Sequence, residues 1–148
     1  MYNRIFRLLI EELPEHGTSL LVVPKNAGET ALARYAQYDN AVQTLRSGEP
    51  LVAIVRSAPL SSPDEVKVIE TSQDGEKFRI RMEIRRYSGH LFANEVSVAL
   101  VEVELGALAS GDYEIEVVET TLSFQDIEHP ENATDPRTTS ESLRFEVR

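Results

Sequence analysis

The chain predicts an all-β antiparallel sandwich carrying one helix in its N-terminal third. Three observations predict it. Short runs of alternating apolar and polar residues follow one another after Gly48, turn-forming residues separate them, and only one stretch has helical spacing. The length, 148 residues, suits one domain. The chain therefore reads as a single unit, with N-terminal strands and the helix in 1–48 and the sandwich core in 50–148. A chain of this size buries about 70% of its unfolded surface and needs no covalent staples, which agrees with its having no Cys.

The N-terminal segments Ile5 to Ile10 and Leu20 to Val23 are apolar enough to be strands. Leu8 to Ile10 is followed by Glu11 and Glu12, too soon for the apolar stretch of a signal peptide. The chain reads as soluble, cytoplasmic if Met1 is the native start and exported if a leader was removed. Leu32, Tyr35, Val42 and Leu45 share one helix face. Arg46, Gly48 and Pro50 supply the stop, so the helix is expected to end near Ser47. Its start lies between Thr30 and Asp39; Asn26 with Glu29 resembles a capping box, and Asp39 could cap a shorter helix.

After Gly48 the pattern is strand. Leu51 to Arg56 is a compact apolar run, and Ser57 to Asp64, with Pro59 and Pro63, is a loop. Val66 and Val68 precede Asp74-Gly75, a hairpin signal. Phe78, Ile80, Met82 and Ile84 then alternate with charged residues, so one face is buried and one wet. Val96, Val98 and Leu100 lie on one parity and Val101, Val103 and Leu105 on the other, which predicts a β-bulge or break near Leu100–Val101. Tyr113, Ile115 and Val117 form the next strand and Leu143, Phe145 and Val147 the last. Between them 125–142, with Pro130, Pro136 and a Thr-Thr-Ser run, reads as one long loop.

The segment Leu105 to Val117 places Leu105, Gly106 and Tyr113 ahead of an alternating strand. It resembles the corner before the penultimate strand of immunoglobulin-like and fibronectin-like domains. The resemblance implies an immunoglobulin-like sandwich in which the Tyr113 hydroxyl bonds back to the backbone. It covers this corner alone and points to an architecture, not to one family. In that plan the strand 77–86 lies beside the strand 113–119. The Asp74-Gly75 turn fits either a direct hairpin or an arch between sheets, and the sequence leaves that open.

Chemistry-bearing patterns are few. The row Lys77, Arg79, Arg81, Arg85 and Arg86 could bind a polyanion or single-stranded nucleic acid, with Tyr87 or Tyr113 stacking bases. The mirrored alternation favours instead its pairing with Glu114 and Glu116 on the neighbouring strand, and Glu83 interrupts it. Asp126, Glu128, His129, Glu131, Asn132 and Asp135 make an acidic loop without the spacing or glycine of a calcium loop, so no metal site is assigned. His16, His90 and His129 show no zinc spacing and no serine has a nucleophile-elbow context, so no catalytic residue and no cofactor are assigned.

The net charge is −10, and it is unevenly placed. Residues 95–148 hold 13 acidic and 3 basic residues, and 1–94 hold 12 of each. An acidic body disfavours duplex nucleic acid and anionic membrane. The expectation is a non-catalytic binding module that recognises a protein partner, of basic character, through end loops and the acidic C-terminal region. Asp126, Glu128, His129, Glu131 and Asp135, with Arg79, Arg81 and Arg85, are its candidate binding residues, and Tyr113 is its structural corner. The alternative is a small hydrolase or ligand-binding enzyme with a pocket between helix and sheet. A homo-oligomer through the edge of the last strand is a further expectation.

Overall fold

A computed structural model describes residues 1–15, 17–37, 45–89 and 96–148. Eight strands and one short helix appear in it: β1 (Asn3–Leu9), β2 (Leu20–Pro24), α1 (Ala31–Tyr35), β3 (Pro50–Arg56), β4 (Glu65–Asp74), β5 (Lys77–Tyr87), β6 (Ser97–Ala107), β7 (Gly111–Phe124) and β8 (Thr134–Val147). They form two packed four-stranded sheets, ordered β1-β6-β3-β2 and β4-β5-β7-β8. Strands β1 and β2, from the N-terminal 48 residues, make up half of the first sheet. The inner faces meet in one core in which Val22, Ala53, Val101 and Val103 of the first sheet lie with Phe78, Ile80, Met82, Ile115 and Val117 of the second.

Every strand expected from alternation is present, but not every pair is antiparallel. β5 and β7 run parallel at the centre of the second sheet, with Arg79 beside Glu116 and Ile80 beside Val117. The chain reaches β7 from β5 through β6, which lies in the opposite sheet, so the two strands point the same way. The Asp74-Gly75 question resolves as a direct hairpin. β4 and β5 pair antiparallel from Asp74 opposite Lys77, and Gly75 takes φ +60°, the left-handed region that glycine enters without Cβ strain.

The bulge expected near Leu100–Val101 is absent. β6 is continuous and buried on both faces from Val98 to Val103. Ala99, Val101 and Val103 face the sandwich, while Leu100 packs on the outer side with Leu21, Val23, Val52, Ile54 and Tyr35. The change of parity marked a strand covered on both sides, not a break. The register shift in this sheet falls instead between Leu51 and Val52, which pair with Gly106 and Glu104.

The helix covers that outer side and is much shorter than its apolar spacing suggests. It spans five residues, Ala31 to Tyr35, and its buried face is Ala31, Arg34 and Tyr35. Thr30, not Asn26, is the N-cap of α1; its side chain accepts from the Ala33 N–H at 3.0 Å. Leu45 forms an extended bridge to Val147, so no helix runs to Ser47, and Gly48 serves a turn before β3. Val42 and Asp39 lie outside the described residues. Too short to be stable alone, α1 is held from the side. The Tyr35 hydroxyl donates to the Thr18 carbonyl at 2.6 Å. Arg34 donates from Nε and Nη2 to the two carboxylate oxygens of Glu102 on β6, at 2.7 and 2.8 Å.

The long loop 125–142 is also corrected. β8 begins at Thr134, and only the stretch between Phe124 and Thr134 connects it to β7. Residues 134–142 are exposed on both faces, so no apolar alternation announces them. Pro136 is tolerated because β8 is an edge strand, where a missing ladder N–H can face away from the sheet.

Candidate functional site

The outward face of the second sheet carries the basic row of β5. Parallel pairing sets Lys77 beside Glu114 and Arg79 beside Glu116. The Arg79 Nε donates to Glu116 Oε1 at 2.8 Å, and Lys77 Nζ lies 3.9 Å from the other oxygen. Arg81 Nη1 is 3.5 Å from Glu70 on β4, and the Arg85 Nε donates to Glu83 Oε1 at 2.9 Å. Each exposed pair contributes roughly 0.2–1 kcal/mol. Each of these cations thus has a carboxylate within 4 Å, Lys77 and Arg79 sharing Glu116. The rings considered for base stacking are also engaged: Tyr113 stacks on Phe145 at 5.5 Å, and Tyr87 packs at 5.6 Å from Phe124.

Arg85 is the candidate arginine that the fold brings to the acidic loop. Its Nη1 donates to the Pro130 carbonyl at 3.0 Å. The loop is built from short-range bonds: Asp126 Oδ1 accepts from the Glu128 N–H at 3.0 Å, and the Asp126 carbonyl accepts from the His129 N–H at 3.0 Å. His129 Nδ1 lies 2.8 Å from Glu131 Oε1. That contact, with the Asp126 charge, holds the imidazole above its ordinary pKa. Glu131 is held below the usual carboxylate range by its own backbone N–H, then by His129 and by the charge of Arg85. Asp135, with φ +60°, opens β8 and sits 3.7 Å from Arg137. Arg79 and Arg81 stay farther along β5 with their own carboxylates. The loop carries Asp126, Glu128, His129 and Glu131 together with Ile127, which is 55% exposed. Ile127 was missed by alternation because it belongs to no strand.

The corner before β7 is tied by the Tyr113 hydroxyl, which donates to the Ala109 carbonyl at 2.7 Å. Two residues outside any motif organise the opposite edge. Asp64 is buried; its carboxylate accepts from the Ser61 N–H at 2.9 Å and from the Tyr87 N–H at 2.8 Å, fastening loop 57–64 to the end of β5. Arg7 donates to Ser97 Oγ at 2.9 Å, to the Asp64 carbonyl at 2.5 Å and to the Ser61 carbonyl. A recess of about 320 Å³ beside them is lined by Arg7, Asp64, Glu65, Lys67, Glu83 and Arg85. The space between α1 and the first sheet is filled by Tyr35, Leu21, Val23, Ile54 and Leu100.

Comparison with known proteins finds no family model, no curated protein and no solved structure that matches the chain. Chemistry must therefore be read from the residues. Among the described residues, no three His, Asp or Glu side chains converge as a metal-ligand set, and no helix is long and apolar enough to cross a membrane. His129 is directed at Glu131, and His16 and His90 lie outside the described residues.

One carboxylate is set apart by its surroundings. Glu119 follows Val117 on the inner face of β7, and burial pushes its pKa up, opposed by the charge of Arg86 and reinforced by Glu141. In the folded chain Glu119 holds its proton to higher pH than in the unfolded chain. Stability is therefore lost as pH rises through the folded pKa. Glu119→Gln should raise the melting temperature at pH 7, and the gain should vanish below the ordinary carboxylate range. A gain that persists at pH 3 would contradict this reading.

Proposed function

We propose that this protein is a non-catalytic interaction module on a β-sandwich of immunoglobulin-like type, with the acidic loop between β7 and β8 as its recognition element. The observation that carries the reading is Ile127, held out to solvent between Asp126 and Glu128 on a loop braced by Arg85. An exposed apolar side chain with acidic residues on both sides in sequence suits a protein partner with a small apolar pocket rimmed by Lys or Arg. A loop on a rigid sheet is a common place for such recognition. The immunoglobulin-like description rests on the Leu105–Val117 corner and the Tyr113 hydrogen bond. The alternative, an enzyme with a pocket between helix and sheet, would need room where Tyr35 and its neighbours are packed.

The test exchanges the loop surface and leaves β8 intact. Asp126→Ser, Ile127→Ser and Glu128→Ser together should abolish partner capture in a pull-down and leave the melting temperature unchanged. The wild-type on-rate should fall as salt screens the acidic surface. Unchanged capture by the folded triple variant would sink the proposal.

A further inference from the structure

The two sheets have four edges, and three of them are blunted. β2 spans only five residues and ends in Pro24. β4 is bulged between Val68 and Glu70 and carries Glu65 and Lys67. β8 contains Pro136, and its end is covered where the Arg148 N–H donates to the Leu45 carbonyl and the Ser47 N–H to the Arg148 carbonyl, both at 2.8 Å. These are the devices that keep sheet edges from pairing with other chains. β1 has neither proline nor bulge, and the two charges it carries are drawn into its own fold, Arg4 onto the Tyr2 hydroxyl and Arg7 onto Ser97, Asp64 and Ser61. Its pairing with β6 runs from Asn3 to Leu9 without a register shift, and it contains no proline.

The free side of β1 can be read from its bonded side. The Tyr2 carbonyl accepts from the Glu104 N–H and the Ile10 N–H donates to the Val96 carbonyl, so the even-numbered residues aim their backbone groups at β6. Alternation then turns the N–H and C=O groups of Asn3, Ile5, Arg7 and Leu9 outward. Among the described residues no strand lies on that side. Three side chains on the odd-numbered face are large, apolar and exposed: Met1 at 45%, Ile5 at 40% and Leu9 at 37%.

We propose that β1 pairs antiparallel with β1 of a second copy about a two-fold axis passing through Ile5. That register is self-complementary. Ile5 meets Ile5, Met1 meets Leu9 of the second copy, and Asn3 meets Arg7. One permitted step sets Arg7 against Ile5 or Met1 against Arg7; a second step one way sets Arg7 against Arg7, and the other way leaves only Met1 to Ile5 paired. The cations of β1 offer little to an acidic foreign strand, because Arg7 is spent on Ser97, Asp64 and Ser61 and Arg4 donates to the Tyr2 hydroxyl. This places a homo-oligomeric edge on the first strand, not on the last.

Sedimentation of the full chain over a range of concentrations tests the proposal. Wild type should approach twice the monomer mass as concentration rises. Ile5→Lys and Ile5→Glu should each stay monomeric with unchanged melting, because like charges then meet on the axis. Mixing the two variants should restore the dimer. Thr138→Lys on β8 should dimerise like wild type. A wild type that stays monomeric throughout, a dimer that survives Ile5→Lys, or a mixture that fails to reassociate would overturn it. The first outcome would leave this edge to a strand from a different protein.

Discussion

Replacing Glu102 with alanine should destabilise the protein by about 3–5 kcal/mol, the cost of stranding a buried charge. The Arg34 side chain is 8% exposed and that of Glu102 5%. The guanidinium spends Nε and Nη2 on Glu102 and Nη1 on the Gly28 carbonyl at 2.7 Å, so its geometry is fully used. Without Glu102 the cation remains against the apolar outer face of the first sheet and must either stay unpaired or pull α1 away. Arg34→Ala should cost about as much for the mirror reason. The double replacement Arg34→Met with Glu102→Leu should recover most of the loss, since a well-packed apolar pair of similar volume often equals a buried ion pair. Chemical denaturation of wild type, Arg34→Met, Glu102→Leu and the double variant makes the cycle. A double variant as unstable as the sum of the single ones would show that the two side chains act independently.

Leu100→Ala should cost about 2–5 kcal/mol, and Val101→Ala should cost about 1.5–3 kcal/mol on the opposite face of the same strand. Both side chains are fully buried, Leu100 under α1 and Val101 inside the sandwich. A strand with one wet face would lose stability at only one of two successive positions. Thermal unfolding of both variants decides it, and a neutral Leu100→Ala would show that α1 does not seal the outer face.

Much of this architecture was legible in the residues. Alternation located the cores of β5, β7 and the end of β8, because one face of each is buried and the other wet. It failed where that contrast disappears. β6 is buried on both sides and looked broken; residues 134–142 are exposed on both sides and looked like loop. The helix was misjudged for a related reason. Leu45 is apolar because it bridges to Val147 and joins the sandwich core, not because it continues the face of Tyr35. Of the candidate site, charge alone placed the acidic loop and the basic row. Their meeting at Arg85 and Pro130 depends on the direction of β7 beside β5, which no local pattern encodes. Ser61 and Asp64, three apart in a proline-containing turn, were the available signal for the buried carboxylate that fastens loop 57–64.

The order of strands within the sheets also governs when each can find its place. β1 pairs only with β6, and the Arg7 to Ser97 contact spans 90 positions of chain. During synthesis β1 must wait for β6 before it has a neighbour. β5 has β4 beside it from the start, but its other side stays open until β7 is made, while β6 is laid into the other sheet. Such long-range closure makes folding slow. It leaves the apolar side chains of β1 uncovered in the nascent chain until β6 has been made, so the strand with the least guarded edge is also the one that waits longest for a neighbour.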